Sequence, residues 1–164
     1  FFRAYTLAET YPFVLNTDLI AGLQGDTFAS FQRTVDGLTA LSPGNITMHT
    51  LYLKRAADIG AAEIGRKIAE GTQASRMVEY AEKTLPEKGY FPYYLYRQKN
   101  TLENLENVGY AREGEECRYN IYMMDDLQQV YGAGAGAVTK ILLPGGVRRE
   151  CNTKFAYNYV KDRS

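Results

Sequence analysis

The sequence predicts an α/β fold in which a parallel strand-and-helix half is followed by an antiparallel half. Three observations predict it. Two apolar runs, 11–23 (YPFVLNTDLIAGL) and 45–54 (NITMHTLYLK), have the density of buried parallel strands. Helix-period segments follow each of them, at 28–41 and 56–85, giving the rhythm of a parallel sheet or barrel. Beyond residue 90 that rhythm stops, and short strand-like runs separated by turn signals take over.

Taken in order, FFRAYTLAET at 1–10 has apolar residues at helical spacing with no N-cap before it. The chain therefore reads as starting inside a helix, with residues expected upstream. The first strand run is interrupted by Asn16, Thr17 and Asp18 and ends in a G-L-Q-G turn. Asp26-Thr27 supplies an N-cap for a helix whose inner face is Phe28, Phe31, Val35, Leu38 and Leu41, and Ser42-Pro43-Gly44 stops it. In 56–85, Gly60, Gly65 and Gly71 weaken a helix whose inner face is Ile64, Ile68, Met77, Tyr80, Ala81 and Leu85, and 86–89 closes it. A strand is expected over 90–96, a short polar turn or helix over 100–106, and two strands over 118–125 and 128–132 around Asp125-Asp126. ILLPGGVRREC then reads as a hairpin turning at Pro144-Gly145-Gly146.

Composition narrows the function. At 164 residues, single-domain length allows a sizeable core. Nineteen basic residues balance nineteen acidic ones, so no global field draws the chain to nucleic acid or an anionic membrane. No apolar run approaches a bilayer span and no signal-like leader is present, so the expected location is cytoplasmic. Cys117 and Cys151 are too few for a four-cysteine metal site and read as free thiols. Phosphate-loop, metalloprotease and nucleophile-elbow motifs are absent, and the glycines at 132–136 lack the spacing of a dinucleotide fingerprint.

Four features carry chemistry. Asp18 interrupts an apolar strand, and burying a lone carboxylate is costly, so it must be hydrogen-bonded or face a ligand. Ligands in α/β folds gather at the carboxyl ends of strands, which makes Asp18 a ligand contact or else a cap on a neighbouring loop. His49, the single histidine, is read as a core or edge residue rather than a catalyst. Gly132, Gly134 and Gly136 at alternate positions would leave one face of an extended backbone bare for a flat ligand, or else form a turn that lets two elements pack. The fourteen tyrosines cluster at 90–96 and 119–131, suiting the wall of a half-wet cavity or ordinary strand propensity.

Three segments together resemble the oxygen-independent coproporphyrinogen III oxidases of the radical SAM superfamily. NTDLIAGLQGD is similar to that family's N-x-D-L-I-x-G-L-P-G strand and turn. ENVGYAREGEECRYNIYMM is similar to its E-I-S-N-F-A-R-P-G-x-x-C-R-H-N-x-x-Y-W block, and GAGAGAVT to its G-x-G-x-G-A-x-S block. YLYRQKNTLENLENVGYA is especially similar to the coproporphyrinogen dehydrogenase branch. Gln24 stands where the family has proline, Gly109 and Tyr119 where the broader block has Asn and His, and Thr139 where it has Ser. The changes at 109 and 119 favour the dehydrogenase branch over haem-chaperone relatives.

The resemblance implies the later half of a radical SAM partial (β/α) barrel over 1–96, with an appended antiparallel or mixed C-terminal region over 97–164. It implies a 4Fe-4S cluster, held by a C-x-x-x-C-x-x-C loop upstream of Phe1, and S-adenosylmethionine. Taken alone, the chain is expected to be inactive and to leave open the sheet edge where earlier strands would pair. The reaction implied is hydrogen abstraction from a propionate followed by loss of carbon dioxide, twice per substrate, giving protoporphyrinogen IX in haem biosynthesis. Asp18 matches the family aspartate that binds the ribose of S-adenosylmethionine, and the backbone near Leu51 the strand beside its adenine. A tetrapyrrole with four carboxylates makes Arg97, Lys99, Arg112 and Arg118 substrate candidates. Tyr94, Tyr96, Gly132, Gly134 and Gly136 could supply its flat wall. The alternative reading is a haem-binding or haem-trafficking relative without oxidase activity; an electron donor is expected for the enzyme but not identified.

Overall fold

A computed structural model describes residues 1–51, 73–96 and 105–161. Contacts divide the chain into two compact units, Phe1–Cys117 and Arg118–Ser164. The first holds α1 (Phe2–Ala8), β1 (Asn16–Ala21), α2 (Phe28–Leu41), β2 (Asn45–Thr50), α3 (Ala74–Glu87), β3 (Phe91–Tyr96) and β4 (Asn107–Ala111). The second holds α4 (Arg118–Met124), β5 (Val138–Leu143), β6 (Gly146–Cys151) and α5 (Ala156–Lys161). Residues 52–72, which carry most of the long helix expected at 56–85, lie outside the described residues.

β1 and β2 pair in parallel, Asn16 opposite Asn45 and Asp18 opposite Thr47. Parallel neighbours need a crossover, and α2 provides it. Its N-terminus is fixed by a reciprocal box: Ser30 N–H donates to Thr27 Oγ1 at 3.1 Å, and Thr27 N–H to Ser30 Oγ at 2.9 Å. Ser42, at φ 59, ends it in the left-handed conformation. β4 joins the far side of β2 antiparallel and β3 pairs antiparallel with β4, giving the order β1-β2-β4-β3. β3 is an edge strand carrying Pro92, and the ladder shifts register between Pro92 and Tyr94.

The core lies on one side of this sheet only. Leu19, Ala21, Ile46, Met48 and Tyr110 point from the strands onto Phe31, Val35 and Leu38 of α2 and Met77, Ala81 and Leu85 of α3. Burying each large apolar side chain stabilises the fold by about 1.5–3 kcal/mol, so these residues hold sheet and helices together. α3 ends at a glycine: Gly89 sits at φ 83 and the Tyr90 N–H returns to the Leu85 carbonyl at 3.1 Å. In α1, Tyr5 is buried and donates to the Leu41 carbonyl at 3.0 Å, fastening the N-terminal helix to the end of α2.

β1 departs from the continuously buried strand expected of its sequence. Burial alternates along it, with Asn16, Asp18 and Ile20 exposed on the face away from the helices, whereas on the same face of β2 Asn45 and Thr47 are buried. A second correction concerns 118–132. Residues 118–124 form the helix α4, and the only pairing in 128–132 is an isolated bridge of Val130 with Lys140. The reason lies in Lys140, which is only 5% exposed. Its Nζ donates to the carbonyls of Tyr122 (2.8 Å) and Asp125 (3.0 Å) and lies 3.4 Å from the Asp126 carboxylate. Orphan carbonyls at a helix C-terminus favour a cation, so this amine closes α4 where strand propensity alone would have extended it. The β5–β6 hairpin forms as expected, with Leu143 opposite Gly146 and Gly145 at φ 88. The Pro-Gly order suits a type II turn.

Two predictions follow from this packing. Lys140→Met leaves the α4 carbonyls without their donor and should destabilise the second unit by about 1–3 kcal/mol; hydrogen exchange at the Asp125 amide would read it, and unchanged protection would contradict the capping role. Burial, with Glu82 a lesser cause, pushes the Tyr110 phenol up to about 12 from an ordinary 10.0. The folded chain then keeps a proton that the unfolded chain releases first, so this contribution is complete below pH 10 and fades as pH rises toward 12. The loss amounts to about 2–3 kcal/mol. Urea unfolding of Tyr110→Phe should show a shallower alkaline decline than the parent, and identical declines would refute the assignment.

Candidate functional site

The face of the first sheet away from the helices, open along β1, concentrates the polar side chains that β1, β2 and β3 contribute. Strand alternation places Asn16, Asp18, Thr47 and His49 on that face, and β3 adds Tyr94 and Tyr96. Asp18, 57% exposed, accepts a hydrogen bond from Asn16 Nδ2 at 2.9 Å on Oδ1. Thr47 donates to Asn16 Oδ1 at 3.2 Å. On the other side, His49 Nε2 stands 3.7 Å from Asp18 Oδ2, and the Tyr96 hydroxyl is 3.4 Å from His49 Nδ1. The rings of Tyr94 and Tyr96 stack with centroids 6.4 Å apart and planes 3° from parallel.

Gly109 makes this stacking possible. It lies opposite both Thr47 and Tyr94 in the sheet, and a methyl group at position 109 would sit 1.8 Å from Tyr94 Cε1. The Tyr94 ring occupies the space a side chain would fill. Burial, with Asp18 a further cause and Thr47 opposing, raises the Tyr94 phenol; burial, Tyr94 and Asp18 raise that of Tyr96. Both rings are therefore neutral hydrogen-bonding walls at ordinary pH.

The expected site residues fall in different places. Asp18 is the third of six residues in β1, mid-strand rather than at the carboxyl end, while His49 and Tyr96 carry the polar cluster toward that end. Leu51 follows β2 directly, and its N–H is taken by the Ala21 carbonyl at 2.9 Å. Arg112 follows β4 and so lies at the amino ends of β1 and β2. There its guanidinium covers the Tyr90 ring at 5.1 Å and donates to Ser42 Oγ. Arg118 is exposed in the first turn of α4. Arg97 and Lys99 lie outside the described residues.

Gly134 and Gly136 belong to a turn rather than to extended backbone, with φ 100 and 71. Gly134 N–H donates to Tyr159 Oη at 3.1 Å, Gly136 N–H to the Thr153 carbonyl at 2.9 Å, and Asn152 Nδ2 to the Gly132 and Gly134 carbonyls. A side chain at 132 would meet the Val138 backbone at 2.7 Å. The alternate-glycine expectation of a bare extended face is thus replaced by the packing turn weighed beside it. Neither His49 nor Asn16 stood out in the sequence as a partner of Asp18; only the i, i+2 step from Asn16 to Asp18 carried a signal.

A parallel β1–α2–β2 unit with helices on one face and a polar bare face on the other is the wall of an α/β barrel. The likeness to a solved structure gives the fold: it matches that of the coproporphyrinogen III oxidase HemN of Escherichia coli, a radical SAM enzyme, with a TM-score of 0.63 at 19% identity. The match covers 99% of this chain and 37% of that one. In sequence the chain is similar to the oxygen-independent coproporphyrinogen-III oxidase-like protein HemZ of Bacillus subtilis (strain 168), 43% identical over 128 residues, 78% of this chain and 26% of that protein. The chain spans about a quarter of the length of that curated relative. No protein-family model matches. The resemblance read from the three sequence segments is borne out by both likenesses.

Gly109→Ala is expected to cost about 1–3 kcal/mol by driving Tyr94 off its seat. Thermal melts should show less than additive loss when Tyr94→Ala is added, since the two changes share one space; full additivity would dissociate them.

Proposed function

We propose that this chain is part of a radical SAM oxidoreductase that oxidatively decarboxylates coproporphyrinogen III to protoporphyrinogen IX. The observation that carries the reading is the exposed Asp18 carboxylate, braced from both sides on the bare face of a barrel wall whose sequence is close to HemZ.

The residues of this face fit one of the two cofactors. An exposed carboxylate accepts hydrogen bonds from a vicinal diol, and Asp18 offers Oδ2 for that purpose, so Asp18 would hold the ribose of S-adenosylmethionine. At Leu51 the N–H is engaged in the sheet, which leaves its carbonyl and side chain as the groups that would border the adenine. When bound, S-adenosylmethionine supplies the one-electron chemistry, and the protein orients and shields it. The 4Fe-4S cluster does not fit here: among the described residues no group of three or more His, Cys, Asp or Glu could hold a metal, and Cys117 and Cys151 lie in different units.

For a substrate bearing four carboxylates, Arg97, Lys99, Arg112 and Arg118 remain the candidate cations. Arg112 is engaged with the Tyr90 ring and Ser42 at the amino ends of β1 and β2, the end away from His49 and Tyr96. A reductant is required to start each turnover. No helix among the described residues is long and apolar enough to cross a membrane.

Asp18→Ala in the intact protein should weaken S-adenosylmethionine binding by roughly tenfold or more, as expected for loss of a charge-assisted hydrogen bond, with iron content unchanged. Unaltered affinity in equilibrium binding would remove Asp18 from the site. Stoichiometric haem binding without porphyrinogen turnover would overturn the oxidase reading in favour of haem trafficking.

A further inference from the structure

We infer that His49 is a positioning residue for Asp18, setting how its carboxylate meets the hydroxyls of a bound nucleoside; this rests on the reading of Asp18 given above. Asp18 Oδ1 is occupied by Asn16 Nδ2 at 2.9 Å, so the orientation of the carboxylate depends on what lies at Oδ2. His49 Nε2 lies there, 3.7 Å away, a gap that a small side-chain movement closes to a hydrogen bond on binding. Tyr96 Oη stands at its other nitrogen, 3.4 Å from Nδ1, a partner that favours this ring orientation. A tautomer with hydrogen on Nε2 satisfies both neighbours: Nε2–H points to the carboxylate, and Nδ1 accepts the tyrosine hydroxyl.

The support runs one layer deeper. Tyr96 is itself fixed by its stack with Tyr94, whose ring occupies the space above Gly109. Asp18 therefore stands between two braces, an amide from its own strand and an imidazole from the next. His49 is 28% and Asp18 57% exposed, and contacts between groups so open to water add little to stability. Such a brace acts through geometry, by narrowing the rotamers of the carboxylate before the ligand arrives.

Calorimetric titration of the intact, cluster-loaded protein with S-adenosylhomocysteine, which binds without reacting, tests this. His49→Phe is expected to weaken binding about tenfold while shifting the melting temperature little. His49→Gln, which keeps an N–H donor toward Asp18, should remain within about threefold of the parent. Adding His49→Phe to Asp18→Asn should produce no further loss, and the 2′-deoxy analogue of the probe should lose most of its sensitivity to His49→Phe. A normal affinity in His49→Phe alongside a weakened Asp18→Asn overturns the inference and leaves Asp18 in the site. Losses that add between the two positions, or that persist undiminished in His49→Gln, overturn it as well. Normal affinity in both single variants overturns the Asp18 reading itself.

Discussion

The bare face of the first sheet depends on an absent side chain. At position 109 the sheet has room for a ring only because there is no Cβ, and Tyr94 takes that room. From there the order passes outward: Tyr94 steadies Tyr96 by stacking, Tyr96 meets His49, and His49 faces Asp18. The same glycine departs from the Asn of the broader resemblance. In this chain the place of that side chain is taken by an aromatic ring from the neighbouring strand.

A second constraint comes from the parallel pair itself. Joining β1 to β2 requires a crossover, and α2 with α3 then covers one face with apolar contacts. That arrangement concentrates the hydrophobic stabilisation on one side. Polar groups on the other side are free to be chosen for chemistry. At the amino ends of the strands the choices are different: Asn45 donates to the Glu115 carbonyl and accepts from Tyr93 at 2.7 Å, Tyr90 donates to the Pro43 carbonyl at 2.6 Å, and Arg112 lies on Tyr90. These contacts knit loops to strands, in keeping with the stabilising role of the amino-terminal side in α/β barrels.

Much of this was legible in the sequence where local signals agree. The Asp26-Thr27 cap, the three-four spacing from Phe31 to Leu38 and the Ser42-Pro43-Gly44 stop place α2 to the residue. Pro144-Gly145 likewise places the hairpin turn. The failures occur where a distant residue decides. Tyr119, Ile121 and Tyr122 favour a strand by propensity, but Lys140, eighteen positions beyond Tyr122, caps a helix there. The glycines at 134 and 136 take positive φ to meet Asn152 and Thr153, which no alternation pattern reveals. Asp18 was visible as a polar interruption of an apolar run. His49 was not visible as its neighbour, because a lone histidine acquires meaning only when strand register sets it beside a carboxylate.

The two edges of the first sheet are unequal, and this gives the sheet a direction of growth. β3 carries Pro92, which has no N–H to offer, and its ladder with β4 shifts register between Pro92 and Tyr94, so the strand is irregular there. β1 runs unbroken from Asn16 to Ala21. A further strand finds a regular template beside β1 and an irregular one beside β3. Addition at the β1 side would bring its neighbour's residues next to Asp18, so the edge best suited to extend the wall is also the one that borders the carboxylate.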